Sequence, residues 1–147
     1  MTETTILLNR LAFARPGDKG NDSDITVFAR SEAAYDHLVE VLTADIVKAH
    51  YGHLVEGEVS RWEVPKVWAL KFLARDALAG GGPSSLRADN LGKALAGAVL
   101  RLEVSVPEAL ADAHPDLRVP ADPWATAEWL AGTASSRTVD RPDVDSV

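Results

Sequence analysis

A short charged segment, ARPGDKGNDSDI at residues 14–25, separates two apolar segments near the start of the chain, ILLNRLAF and ITVFA. Glycine and proline interrupt regular alternation, so the flanking segments are predicted to be β-strands joined by a turn. The turn is assigned to Pro16–Gly17 and Gly20. A charged turn between apolar strands is either a solvated hairpin tip or a binding loop, and the residues alone leave both interpretations open.

The rest of the chain alternates between strand and helix patterns. Strands are predicted at residues 4–13, 24–29, 58–64 and 99–106, and a long helix at 67–79. A further helical segment begins at the N-cap Ser31, breaks at a second N-cap, Thr43, and stops at Gly52. The order β-β-α-β-α-β predicts an α+β fold. We expect a two-layer sandwich with helices on one face of a mostly antiparallel sheet. It is ferredoxin-like apart from an early hairpin, which the usual βαββαβ order lacks.

Composition excludes several classes of function. The net charge of −7 argues against binding to nucleic acid, which requires a basic surface. The absence of cysteine excludes disulfides, zinc–thiolate sites and thiol nucleophiles. No apolar run approaches the roughly 20 residues that span a bilayer, so no membrane partner is expected and a cytoplasmic location is predicted.

The length of 147 residues suits one folded domain with an extension. The domain is predicted to cover residues 1–106. Proline spacing then predicts a linker with a short helix at 107–132, and composition predicts a disordered tail at 133–147.

Three segments resemble the ferredoxin-fold domain of AtuA-type proteins, a family named for acyclic terpene utilisation. They are ARPGDKGNDSDITVFAR, VKAHYG and FLARDALAGGGPSSLRADNLGKALAGAVLRLEV. The resemblance is to the small stand-alone form of the domain. It implies a role in the breakdown of acyclic terpenoids and branched acids, whose intermediates are coenzyme A thioesters. The family commonly has asparagine where this chain has Asp24, and again near Lys71.

The resemblance favours a ligand loop over a hairpin tip. Arg15 and Lys19 supply positive charge for a carboxylate or phosphate, and the two loop glycines let a ligand approach the backbone. The candidate ligand-binding residues here are Arg15, Gly17, Gly20 and Asn21, and the candidate catalytic residues are Asp18 and Lys19.

Two further segments carry candidate residues. His50 lies near a predicted helix end, where an imidazole suits proton transfer, although a capping or surface histidine is the alternative. No metal site is predicted, because Gly52 separates His50 from His53. The glycine-rich segment after residue 79 is either a connector or a cradle for a coenzyme A phosphate. Its candidate ligand-binding residues are Gly81, Gly82, Ser85 and Arg87.

Two functions follow as expectations. The first is an enzyme or enzyme subunit of the hydratase or lyase type. It would act by proton transfer on a carboxylic acid or acyl thioester, with coenzyme A as part of the substrate rather than as a resident cofactor. The alternative is a non-catalytic accessory or oligomerisation module, whose candidate partners are a separate AtuA-type large protein and a second copy of the chain. Nucleophilic catalysis is not predicted, and Trp62 and Trp68 are expected in the core.

Overall fold

The computed structural model describes residues 2–78 and 93–116. The strands are β1 (Glu3–Leu7), β2 (Ala12–Lys19), β3 (Asp22–Ala29), β4 (Val59–Val64), β5 (Ala69–Ala74) and β6 (Glu103–Pro107). The helices are α1 (Glu32–Val41), α2 (Ala44–Tyr51), α3 (Lys93–Val99) and α4 (Glu108–Ala113). The predictions for residues 79–92 and 117–147, the tail included, lie outside the described residues.

The strands form a four-stranded antiparallel sheet in the order β2–β3–β5–β4, and β1 pairs with β6. The elements from β3 to β6 follow the βαββαβ order of a ferredoxin-like fold, with α1 and α2 together filling the first helical position. β1 and β2 precede these elements in the chain. β2 forms a hairpin with β3, whereas β1 pairs with β6. The predicted α+β ferredoxin-like fold is therefore confirmed.

One face of the four-stranded sheet is covered by helices. Ile25 and Val27 on β3 and Phe72 on β5 are buried, and they belong to one apolar cluster with residues of α1, α2 and α3. Arg61 on β4 reaches the same layer, since its guanidinium donates to the carbonyls of Val39 at 2.7 Å and Leu42 at 3.0 Å. The sheet thus has a helix-covered face and an opposite face.

The helix boundaries agree with the predicted caps. Ser31 Oγ accepts a hydrogen bond from Ala34 N at 3.1 Å, and Thr43 Oγ1 accepts one from Ile46 N at 3.2 Å. Gly52 follows α2 with φ of 57°, a backbone conformation that glycine adopts without a Cβ penalty. Each of the two N-caps depends on a hydrogen bond between a side-chain oxygen and the amide three residues later. Local sequence is therefore enough to predict them.

The long helix predicted at residues 67–79 is wrong, because β5 occupies Ala69–Ala74. Leu70 and Phe72 face the helices, while Lys71 and Leu73 on the other face are half-buried. A central strand that is buried on one face and partly covered on the other carries apolar residues at successive positions. Such a run resembles a buried helix when only periodicity is available.

The predicted turn at Pro16–Gly17 is also wrong. β2 continues through both residues to Lys19, and the reversal occurs at Gly20, whose φ is 66°, and Asn21. β2 is an edge strand of the four-stranded sheet, the position in which a strand tolerates a proline that lacks an N–H donor. Near the other end of the fold, the strand predicted to begin at residue 99 begins at Glu103, because α3 continues to Val99.

The compact unit extends past β6 to Pro115, so α4 belongs to it. Arg10 holds α4 in place, donating through Nε to His114 O at 2.8 Å and through Nη2 to Ala111 O at 2.6 Å. None of the helices among the described residues combines the length and hydropathy needed to cross a bilayer.

Tyr51 provides a pH-dependent test of the helix packing. Its hydroxyl donates to Leu95 O at 2.6 Å, and burial raises the pKa of the phenol above its ordinary value of 10.0. Tyr51→Phe is expected to lower the free energy of unfolding by about 1 kcal/mol at pH 7. The difference should shrink above pH 10, because unfolded Tyr51 then ionises while the folded phenol does not. Urea unfolding at pH 7 and at alkaline pH measures this, and a difference that grows with pH would contradict it.

Candidate functional site

The face of the four-stranded sheet opposite the helices is called the open face below. Residues paired across antiparallel strands share a face, and alternate residues of a strand point to opposite faces. The register therefore assigns to the open face Phe13, Arg15, Gly17, Lys19, Asp22, Asp24, Thr26, Phe28, Ala69, Lys71, Leu73, Ser60, Trp62 and Val64. In the described part of the chain, no helix packs on it.

The open face is charged at one end and apolar at the other. At the charged end, Lys19 pairs in register with Asp22, and Arg75 Nη1 lies 3.5 Å from Asp22 Oδ2. At the apolar end, the rings of Phe13 and Phe28 stack with centroids 5.2 Å apart. Trp62, on the far edge strand, leaves 50% of its surface exposed.

The tryptophans correct one expectation from the sequence. Trp62 and Trp68 were both expected in the core, but Trp68 is also 40% exposed. It lies in the β4–β5 connection with φ of 51°, in the left-handed region that non-glycine residues rarely adopt. The tertiary structure thus leaves both aromatic side chains partly exposed to solvent.

An ion pair lies between the two ends of the open face. Lys71 Nζ is 3.2 Å from Asp24 Oδ2, and only 13% of the Asp24 side chain is exposed. A Cβ on Gly17 would lie 2.5 Å from Asp24 Oδ1, so a larger residue there would displace this carboxylate. The ion pair joins β3 to β5 across the open face.

Strand alternation divides the predicted loop residues. Arg15, Gly17 and Lys19 lie on the open face, whereas Asp18 pairs with the buried Ser23 and belongs to the helix-covered side. Within residues 2–78 and 93–116, the Arg15 guanidinium has no ion-pair or hydrogen-bond partner.

The reversal itself is tied to the end of β5. Asn21 Nδ2 donates to Asp76 Oδ1 at 2.9 Å, and Asn21 O accepts a hydrogen bond from Ala77 N at 2.9 Å. Asn21 therefore fixes the hairpin, while Gly20 provides its left-handed turn. The binding role predicted for these two residues stays a prediction.

The remaining predicted residues lie away from the hairpin or outside the described chain. His50 is on α2, and its Nε2 donates to Ala98 O at 2.7 Å, which links α2 to α3. Gly81, Gly82, Ser85 and Arg87 lie outside the described residues. Where the chain is described, no group of three metal-binding side chains occurs. The catalytic roles of Asp18, Lys19 and His50 stay predictions.

A second arrangement, which sequence reasoning missed, joins α1 to α4. Ser31 Oγ lies 2.9 Å from His114 Nε2, and His114 Nδ1 lies 2.9 Å from Leu110 O. An open groove of about 620 Å³ runs beside this pair. Ser31 and His114 are 83 positions apart, and neither belongs to a recognisable motif, so only the fold brings them together.

Comparison with known proteins gives one family. The family model of the AtuA ferredoxin-like domain matches residues 6–105. No curated protein and no solved structure matches the chain.

Proposed function

The chain belongs to the AtuA ferredoxin-like domain family, and we propose that it serves acyclic terpene utilisation as an assembly module that joins subunits through the open face. The observation that carries this proposal is the concentration of exposed large apolar side chains at one end of that face. Phe13 and Val64 lie there, Trp62 lies in the adjacent row, and the β4–β5 connection adds Val67 and Trp68.

The exposed apolar surface has a thermodynamic consequence. Each Å² of apolar surface removed from water contributes about 25 cal/mol of favourable free energy. A partner that covers two tryptophans and a phenylalanine therefore gains a large part of its binding free energy from them. Contiguous exposed apolar surface rimmed by charge is typical of protein-binding sites. The open face has this composition, because Phe13 and Phe28 lie at one end, Lys19 and Asp22 lie at the hairpin end, and Trp62 shares a row between them with cationic side chains.

The charge pattern favours a second copy of the chain as the occupant. If two open faces stack with a two-fold axis parallel to the strands, β2 of one copy lies over β4 of the other, and β3 over β5. The two charged ends then meet, and so do the two apolar ends. An axis perpendicular to the strands would set charge against aromatic rings and leave the charges desolvated without partners.

The pairs generated by the parallel axis are complementary. Lys19 of one copy faces Glu58 of the other, since Glu58 precedes β4 and its carbonyl accepts from Arg75 N at 2.9 Å. Asp22 likewise faces Arg75. In the row next to the apolar end, Arg15 faces Trp62, a combination suited to a cation–π contact. Like charges do not face each other at these positions.

A charge exchange tests this arrangement. Lys19→Glu and Glu58→Lys are each expected to weaken the dimer about tenfold at low ionic strength, because each variant replaces two attractive pairs by two repulsive ones. The double variant Lys19→Glu/Glu58→Lys should recover the wild-type dissociation constant within about threefold. Sedimentation velocity over a concentration series measures all four proteins. A double variant weaker than either single variant would contradict the two-fold arrangement.

A separate AtuA-type large protein is the competing occupant. Copurification of the two proteins, abolished by Trp62→Glu, together with an isolated chain that stays monomeric, would support assembly through the open face but assign it to this other partner.

The second candidate function is the proton-transfer enzyme, which one observation favours. Arg15 and Lys71 flank Thr26 on the open face, and the Arg15 guanidinium has no partner among the described residues. Two cations around a hydroxyl suit the carboxylate of an acid substrate. Hydration or dehydration of an acyl thioester by the isolated chain would favour this function over assembly.

A further inference from the structure

Ser31 and His114 lie at the junction of α1 and α4, beside the groove described above. We propose that they form a nucleophile–base pair that transfers an acyl group from an ester or thioester to water. The proposal does not depend on the open face. It rests on the hydrogen bonds of the pair, the helix that begins after Ser31, and the apolar lining of the groove.

The hydrogen bonds define the protonation of the pair. A backbone carbonyl only accepts, so His114 Nδ1, 2.9 Å from Leu110 O, carries the ring proton in the neutral imidazole. Nε2 then presents its lone pair to Ser31 Oγ at 2.9 Å, and the serine hydroxyl donates to it. This is the relation between nucleophile and general base in serine hydrolases, with a carbonyl as the orienting third group.

Ser31 and His114 are both partly buried, and further hydrogen bonds fix the position of each residue. Ser31 Oγ also accepts from Ala34 N at 3.1 Å, which fixes its rotamer as the N-cap of α1. Arg10 donates to the carbonyls of Ala111 and His114, which fixes the backbone that carries the imidazole. The pair is therefore positioned before any substrate arrives, as efficient acyl transfer requires.

The start of α1 supplies donors for a developing oxyanion. Ala34 N binds Ser31 Oγ and Tyr35 N binds Ser31 O, while the N–H groups of Glu32 and Ala33 begin the helix and have no intrahelical acceptor. The amide of the residue after the nucleophile is the donor that α/β-hydrolases use. The helix dipole adds positive potential at the same end.

The groove indicates the class of substrate. Its volume of about 620 Å³ lies within the range of small-molecule sites. Apart from Ser31 and His114, the groove is lined by one polar side chain, His37, and by small or apolar residues. These are Ala33, Pro107, Ala109, Leu110 and Ala113. Small apolar side chains suit a short or branched acyl chain and disfavour a second charged group near the carbonyl.

The reaction balances without a further cofactor. Ser31 Oγ bonds to the carbonyl carbon while its proton moves to His114 Nε2. The carbon–sulfur or carbon–oxygen bond then breaks, and His114 returns the proton to the leaving thiol or alcohol. In the second half, Nε2 takes a proton from water as the water oxygen attacks the acyl–serine. The bond between the carbonyl carbon and Ser31 Oγ then breaks, His114 Nε2 gives its proton to Ser31 Oγ, and the carboxylic acid leaves.

The test uses the full chain with p-nitrophenyl butyrate, a butyryl thioester and a fluorophosphonate probe read by intact mass. The wild type should hydrolyse both substrates above the blank and take up one probe molecule at Ser31. Ser31→Asn keeps a good helix cap but removes the nucleophile, so hydrolysis should fall roughly 100-fold or more and labelling should disappear. His114→Gln should lower both rates by a similar factor.

Thr43→Asn is the matched control, because it makes the same kind of cap exchange at the start of α2 and should leave hydrolysis and labelling unchanged. Circular dichroism establishes that each variant is folded. A wild-type chain that neither hydrolyses nor takes up the probe would overturn the proposal. A Ser31→Asn variant as active as the wild type would overturn it as well.

Discussion

Replacing Trp62 by glutamate is expected to leave the chain monomeric at concentrations where the wild type is a dimer, with the association constant lowered about 100-fold or more. A tryptophan that an interface buries commonly contributes roughly 2 kcal/mol or more, and a carboxylate in its place would be desolvated. The fold should be little affected, since half of this side chain is already in solvent. Sedimentation velocity and circular dichroism measure the two effects.

Ile46→Glu is the matched control. Ile46 is a large apolar side chain exposed to 42%, but it lies on α2 in the helical layer rather than on the open face. The same change of charge there should leave the dimer intact. Equal dissociation by both variants would indicate a general loss of solubility or an interface on the helices, and would contradict assembly through the open face.

Replacing Gly17 by alanine is expected to lower the free energy of unfolding by about 1 kcal/mol, because the Asp24 carboxylate has to move. The new methyl group would lie 2.5 Å from Asp24 Oδ1 and 3.0 Å from Asp24 Cγ. To avoid it, the carboxylate must rotate away from Lys71, which loses the ion pair, or β2 must shift. Urea denaturation of the wild type and the variant measures the cost.

The reason for the cost is tested in a second background. In Asp24→Ala the carboxylate is gone, so Gly17→Ala should cost little there and should even gain from the lower backbone entropy of alanine. The coupling energy in this double-mutant cycle should approach the full cost of the single variant. Equal costs in both backgrounds would show that the strain does not come from Asp24.

The parts of the fold that sequence predicts are local. Ser31 and Thr43 cap helices because an oxygen and an amide three residues apart suffice, and Gly52 ends α2 for a similarly local reason. β5 was predicted wrongly because its packing depends on strands and helices distant in sequence. Pro16 was misplaced because its tolerance within β2 depends on the edge position of that strand, which only topology defines.

The candidate site shows the same division. Alternation within one strand is enough to place Arg15, Gly17 and Lys19 on one face once β2 is known to continue past Pro16. The contact of Asp24 with Lys71 requires the β3–β5 register, which the misassigned helix concealed. The Ser31–His114 contact could not be predicted, because it depends on α4. The sequence predicted a linker at Glu108–Ala113, where the structure has this helix.

Sedimentation equilibrium of the full wild-type chain tests the central claim most directly. The open face spans about 14 Å across the strands and about 20 Å along them, which is small for a stable interface, so we expect weak association. We expect a monomer–dimer equilibrium between about 1 and 100 μM, with the mass approaching twice 15.7 kDa. A single species of 15.7 kDa throughout that range would contradict assembly of two copies through the open face.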